Sequence, residues 1–191
     1  MIDDLLTKAE QEILLKIARE ALENSAKGLP LPQINPSGLP PALREPGASF
    51  VTLTIRERLR GCIGTLEAYQ PLGLDVQEHA VAAALQDPRF PAVRPEECPQ
   101  IQIEVSVLTP KVPLDYQNGE DLLEIIQPGV DGVVLQDGFR KATFLPQVWE
   151  KLPDPSAFLS HLCRKMGTPA DLWQKKPLKV YIYQVQEFQE K

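Results

Sequence analysis

The sequence is poor in cysteine, in positive charge and in long apolar runs. Its three cysteines are an odd number without CxxC spacing, which is typical of a reduced intracellular protein and excludes a disulfide framework. A net charge of −6 argues against the broad basic surface that general nucleic-acid or anionic-membrane binding needs. No apolar run approaches the roughly 20 residues of a membrane helix. The first residues also lack a secretory signal, so we expect a cytoplasmic protein without a membrane segment.

Proline, by contrast, is abundant, and six of the 19 prolines lie between positions 28 and 47. Proline removes a backbone donor, so this segment cannot be a central strand or continue a helix. We interpret residues 28–47 as a connector or ordered loop, with a polyproline ligand for another protein as the alternative. The length of 191 residues predicts a single domain, 1–191, that contains this connector.

Hydrophobic periodicity predicts hairpins of strands separated by helices. The predicted helices are 3–26, 74–84, 121–126 and 156–166, and Asp3 or Asp4 is the expected cap of the first. The predicted strands are 48–55, 59–66, 101–108, 132–136, 140–145 and 180–188. This order favours an α+β fold with largely antiparallel sheets.

The densest chemical signal is the run LRGCIGT at positions 59–65. Arg60 and Cys62 are two residues apart, so on a strand they share a face, and a guanidinium near a thiol favours the reactive thiolate. Gly61 and Gly64 permit close approach of backbone or ligand. The run therefore suits a nucleophilic or redox thiol, and the alternative is a buried cysteine packed beside an arginine that binds backbone.

His161 is the candidate general base for Cys62, provided that the fold brings the two residues together. The alternative is a half-buried histidine bonded to a carbonyl. Cys163 points away from His161 on the same helix and is interpreted as a packing residue, and His79 as a surface residue. A mixed metal site of His161, Cys62 and Glu104 is conceivable, but the sequence has only two histidines and no metal-type cysteine spacing, so no metal is expected.

Glu104 lies among apolar residues in the strand 101–108, and a covered carboxylate there needs a partner such as Arg60 or Arg89. The alternative is a solvated strand face. Asp87 can cap a turn and Arg89 can reach an anion, although turn chemistry alone also explains this pair. Phosphate-binding glycine loops, HExxH and GxSxG are absent, so no cofactor is assigned.

Six motifs occur in a characteristic order: RLRGCIGTLEA, DPRFP, IEVSVL, GVDGVVL, FLPQVWE and FLSHLCRKMG. Together they closely resemble the AMMECR domain family, known in prokaryotes as AmmeMemoRadiSam system protein A. The resemblance covers nearly the whole chain. It implies an α+β fold with a larger and a smaller subdomain that enclose a cleft. It also implies two partners, a Memo-like protein related to ring-opening dioxygenases and a radical S-adenosylmethionine enzyme.

The resemblance maps the family's hallmark motif and recurrent polar positions onto Arg60, Gly61, Cys62, Ile63, Gly64, Asp87, Arg89, Glu104, Gln147 and His161. In the enzyme hypothesis, the catalytic residues are Cys62 as nucleophile, His161 as proton shuttle and Glu104 as orienting group. The substrate-binding residues are then Arg60, Gly61, Gly64, Asp87, Arg89 and Gln147. The resemblance supplies no established activity, so whether the protein is an enzyme stays open, and a non-catalytic adaptor for the two partners is the alternative.

Overall fold

The computed structural model describes residues 6–191, which form two compact units. The first unit comprises the chain up to Leu108 together with Gln186–Lys191, and the second comprises Thr109–Val185. Each unit contains helices and one main β-sheet whose described pairings are antiparallel. The predicted α+β class with largely antiparallel sheets is therefore confirmed.

The elements follow one another in a mixed order of helices and strands. The helices are α1 (Lys8–Ala26), α2 (Pro41–Arg44), α3 (Leu72–Leu85), α4 (Gly119–Ile125), α5 (Pro155–Lys165) and α6 (Leu172–Lys175). The strands are β1 (Pro46–Ile55), β2 (Arg58–Gly64), β3 (Gln70–Pro71), β4 (Gln102–Leu108), β5 (Val112–Pro113), β6 (Gly132–Asp137), β7 (Arg140–Phe144), β8 (Lys179–Tyr183) and β9 (Val185–Gln189). Across residues 6–191, no helix combines the length and apolar character that crossing a membrane requires.

The main sheet of the first unit has the strand order β2-β1-β4-β9, and the short strand β3 pairs with the start of β1. Side chains alternate between the two faces of a strand. One face packs on α1 and α3 and carries the buried residues Val51, Leu53, Ile103 and Val105. The opposite face is more polar, and Thr52, Cys62 and Glu104 lie on it.

Helix α1 begins after Thr7, which forms a reciprocal capping box with Glu10. The predicted caps Asp3 and Asp4 lie outside the described residues. Arg19, in the middle of α1, pairs with Glu190 and also donates to the carbonyl of Ile101 at 2.7 Å. The helix thereby fastens the end of the chain to the first unit.

The proline-rich segment is an ordered loop and contains short helical turns. The first turn is Pro36–Gly38, and the second is the short helix α2, in which Leu43 is fully buried. The carbonyl of Pro32 accepts a hydrogen bond from the Gln77 side chain at 2.9 Å. The segment ends where Pro46 begins β1, and the first residue of a strand is a position that tolerates proline.

The sheet of the second unit has the order β5-β8-β6-β7, and α5 covers β7. Trp149 stacks on Phe158 of α5 with ring centroids 3.6 Å apart. The predicted strands 132–136 and 140–145 are present as the hairpin of β6 and β7, with Gly138 at φ +59 in its turn. The single strand predicted over 180–188 is wrong, because the chain breaks at Gln184 into β8 and β9, which belong to different sheets.

Candidate functional site

Three polar side chains form one row across three neighbouring strands of the first unit. Thr52 on β1 is the register partner of Cys62 on β2 and of Glu104 on β4. Directly opposed residues in antiparallel strands project to the same face, about 5 Å from each other. Cys62 and Glu104 therefore flank Thr52 on either side, and strand spacing separates them by about 10 Å. We call these three residues the cross-strand row.

Cys62 carries a half-buried thiol whose immediate partner is a hydroxyl. The Oγ1 of Thr52 donates to the Cys62 Sγ at 3.2 Å. Burial raises the pKa of the Cys62 thiol above its ordinary value, and this effect outweighs the Thr52 hydrogen bond and the nearby Arg89 charge, which act in the opposite direction. Asp87 and Glu104 raise this pKa further. The neutral thiol is therefore the favoured form.

Glu104 is half-buried, and no other described residue pairs with its carboxylate. Burial is the sole cause of the raised pKa of Glu104. The predicted pairing with Arg60 or Arg89 is wrong, because both guanidinium groups bind other carboxylates, those of Glu97 and Asp87. The cross-strand row thus contains one carboxylate whose charge no described side chain compensates.

Asp87 and Arg89, which we call the clamp, hold the backbone of Cys62 from the open side of β2. The N–H of Cys62 donates to Asp87 Oδ2 at 2.9 Å, and the Arg89 guanidinium donates to the carbonyl of Cys62 at 3.2 Å. The Arg89 guanidinium also donates to both oxygens of Asp87. The hydrogen bonds from Arg89, followed by that from the Cys62 backbone, hold the pKa of the buried Asp87 carboxylate well below its usual range.

Arg60 binds neither the thiol of Cys62 nor the carboxylate of Glu104, and its role in substrate binding stays a prediction. The register of β2 shifts between its pairs with Leu53 and Thr54, so Arg60 is an extra residue in a β-bulge. Its guanidinium pairs with Glu97 at 2.9 Å and donates to the carbonyl of Pro91 at 3.0 Å. The hydrogen bonds that Glu97 accepts from Arg60, followed by that from the backbone of Arg94, lower the pKa of Glu97 to about 2. Arg60 is not among the groups that shift the pKa of Cys62, and the predicted lowering by Arg60 is wrong.

The two glycines of the motif serve close packing within the first unit. A Cβ at Gly61 would lie 2.2 Å from the carbonyl oxygen of Ala83 on α3. A Cβ at Gly64 would lie 2.3 Å from the ring of Phe50. Gly61 therefore lets β2 approach the backbone of α3, and Gly64 makes room for an aromatic ring on the same face as the cross-strand row.

The remaining predicted site residues lie in the second unit. His161 is exposed on α5, and Gln147 is half-buried in the turn Pro146–Glu150. The cross-strand row and the clamp that holds it are built entirely from the first unit. The convergence of His161 with Cys62 remains a prediction. Cys163 is fully buried in the core of the second unit, as its interpretation as a packing residue requires.

A buried polar cluster of the first unit was missed from the sequence. His79 was predicted at the surface but is 6% exposed, and its Nδ1 lies 3.2 Å from Asp75 Oδ2. Ser49 of β1 donates to the same oxygen at 2.6 Å. The spacing of Asp75 and His79, four residues apart on one helix, was the signal that could have revealed it. Within residues 6–191, no three histidine, cysteine or acidic side chains are grouped to hold a metal ion.

This chain is similar to several proteins from archaea. A protein of Methanothermobacter thermautotrophicus is 40% identical over 186 residues, which cover 97% of this chain and 96% of the relative. A protein of Methanocaldococcus jannaschii is 37% identical over 193 residues and is covered to 92%. The crystal structure of an uncharacterized protein from Pyrococcus horikoshii superposes with a TM-score of 0.86 at 34% identity, covering 97% of this chain and 94% of that one.

The family comparison agrees with these relatives. The sequence profile described as AMMECR1 matches residues 15–188, which include the cross-strand row, its clamp and the second unit. This chain therefore belongs to the AMMECR1 family.

Proposed function

We propose that the protein binds a small ligand at the cross-strand row, as the binding component of a cytoplasmic system with a Memo-like protein and a radical S-adenosylmethionine enzyme. The observation that carries the site is the row itself, in which a thiol, a hydroxyl and a carboxylate stand side by side on one sheet face. The two partners are supported by the resemblance to AmmeMemoRadiSam system protein A.

Within this site, Cys62 acts first as a hydrogen-bonding group. Its raised pKa keeps the thiol protonated in the free protein, and the hydroxyl of Thr52 orients the sulfur. Nucleophilic chemistry at Cys62 needs an additional group that favours the thiolate. His161 is the proposed proton shuttle for that step, and Gln147 a proposed substrate-binding residue.

Asp87 and Arg89 have a positioning role in this proposal. They bind the N–H and the carbonyl of Cys62, so they fix the position and orientation of its side chain on the strand. Gly61 and Gly64 support the same strand through packing, and Arg60 supports its bulge. These residues shape the site without needing to contact a ligand.

Access to Cys62 tests the proposed site. Native protein is treated with methyl methanethiosulfonate, a small neutral thiol reagent, and each cysteine is followed by peptide mass spectrometry. We expect the half-buried Cys62 to be modified in the folded protein, and the buried Cys98 and Cys163 only after unfolding. A Cys62 that stays as unreactive as the other two would contradict a ligand site on this face.

An adaptor role is the second candidate, and one exposed aromatic favours it. Phe139, in the turn between β6 and β7, is fully exposed. Large aromatic side chains anchor many protein interfaces when they enter a pocket of the partner. Titration of the Memo-like protein and the radical enzyme with wild type, Phe139→Ala and Glu104→Gln separates the roles. The adaptor role predicts that Phe139→Ala weakens binding, and no binding of wild type to either partner contradicts it.

A further inference from the structure

The charges around the cross-strand row do not balance. Arg60 is engaged by Glu97, which also pairs with the exposed Arg94, and Arg89 is engaged by Asp87. Thr52 and the protonated Cys62 carry no charge. Among the described residues of this group, Glu104 is therefore the one carboxylate without a cationic partner. Partial burial of a charged carboxylate without a partner costs free energy because the group loses water. An ion pair with a bound cation would offset this cost.

The geometry points to a ligand that presents a cationic nitrogen, an ammonium or a guanidinium group, to the carboxylate of Glu104. This inference rests on the proposed function and names the chemical class of its ligand. The cation would lie at the β4 end of the row, and the remainder of the ligand would extend about 10 Å over Thr52 towards Cys62. A ligand with a carboxylate or phosphate at that end would instead be repelled by Glu104.

The position of Cys62 makes this charge measurable without knowledge of the natural ligand. Two methanethiosulfonate reagents serve as probes: the 2-aminoethyl reagent carries an ammonium group, and the 2-sulfonatoethyl reagent carries a sulfonate. In both cases the Cys62 thiolate attacks the sulfenyl sulfur of the reagent. The S–S bond of the reagent breaks, methanesulfinate leaves with the bonding electron pair, and a mixed disulfide forms on Cys62.

The quantity to compare is the modification rate of Cys62 by the ammonium reagent divided by its rate with the sulfonate reagent. This ratio is then divided by the same ratio measured for the unfolded protein. This ratio cancels any change in the pKa of Cys62, because both reagents need the same thiolate. At low ionic strength we expect Glu104→Gln to lower the ratio by roughly three- to tenfold. Glu96→Gln is the matched control, because it removes the same charge from an exposed position of the first unit and should leave the ratio unchanged.

Salt provides a second measurement on the unmodified chain. In wild type, about 0.5 M sodium chloride should bring the ratio close to the value of Glu104→Gln, because it screens charges over this distance. An equal ratio in wild type and Glu104→Gln, together with no effect of salt, overturns the inference of a cationic ligand. Failure of the proposed function gives a different result, since the neutral methyl reagent would then not modify Cys62 in the folded protein.

Discussion

The backbone N–H of Cys62 donates a hydrogen bond at 2.9 Å to the carboxylate of Asp87, which lies 25 positions further along the chain. Strand β2 is an edge of its sheet, so this N–H has no neighbouring strand to bind. The Asp87 carboxylate and the Arg89 guanidinium bind the two backbone groups of Cys62 that a further strand would bind. The motif around Asp87 and the motif around Cys62 therefore act together, since the first binds the exposed backbone of the second at the edge of the sheet.

Loss of the Asp87 carboxylate should destabilise the first unit. Asp87→Ala removes the acceptor for the Cys62 N–H and for Arg89, and we expect the free energy of unfolding to fall by about 2 kcal/mol. Urea denaturation measures this change. Glu96→Ala, at an exposed position, should alter the free energy by less than about 0.5 kcal/mol. Equal stability of Asp87→Ala and wild type would show that the clamp has no structural role.

The approach of β2 to α3 makes Gly61 sensitive to a single methyl group. In Gly61→Ala the new Cβ would lie 2.2 Å from the carbonyl oxygen of Ala83, so backbone must move. We expect a loss of at least about 2 kcal/mol in the free energy of unfolding. Gly38→Ala is the matched control, because no atom lies within 4 Å of a Cβ built there. Thermal and urea unfolding of both variants decide the matter, and comparable stabilities would refute the close approach.

The Arg60–Glu97 pair should make stability depend on acid pH. The pKa of Glu97 is lowered from 4.5 to about 2 in the folded protein, chiefly by the Arg60 hydrogen bonds. Its contribution is therefore present above about pH 4.5 and is lost as pH falls towards 2, up to about 3 kcal/mol in total. Glu97→Gln should remove this part of the acid dependence of the free energy of unfolding. An unchanged pH profile in the variant would contradict the pairing.

The pH dependence of stability that Glu104 causes should have the opposite sign. Burial raises the pKa of Glu104 in the folded protein, so ionisation of this carboxylate opposes folding once the pH rises above the pKa of this group in the unfolded chain. We expect Glu104→Gln to increase the free energy of unfolding at pH 7 by up to about 1 kcal/mol, and the gain to vanish at low pH. Urea titrations at pH 7 and at pH 3 measure both values. Destabilisation at pH 7 would indicate that the carboxylate has a partner within the fold.

Local sequence patterns were sufficient to predict the fold class and the two main hairpins. The pairs β1–β2 and β6–β7 join neighbouring segments, and alternation shows which side chains share a face. The same pattern failed near the end of the chain, because alternation continues through Gln184 although the chain passes there from one sheet to another. A change of sheet leaves no mark in a periodic pattern.

The candidate site was predictable only in part. Cys62 and Glu104 were both identified, but their alignment on either side of Thr52 depends on the register between β1 and β4, which is set by distant packing. The bulge at Arg60 could not be predicted for a similar reason. One extra residue in a strand changes the direction of a side chain, but it does not change the residue composition of the strand. The sequence therefore identified the residue types but paired Arg60 with the wrong partner.

The decisive experiment is the pH dependence of iodoacetamide labelling at Cys62, read by peptide mass spectrometry beside Cys98 and Cys163. We expect Cys62 in the folded protein to titrate above the value of about 8.5 of an unperturbed thiol, because burial raises its pKa. Thr52→Val should raise that apparent pKa further, since the hydroxyl donor to the sulfur is lost. Rapid labelling of Cys62 with an apparent pKa well below 8.5 would contradict a neutral binding thiol and establish an activated nucleophile.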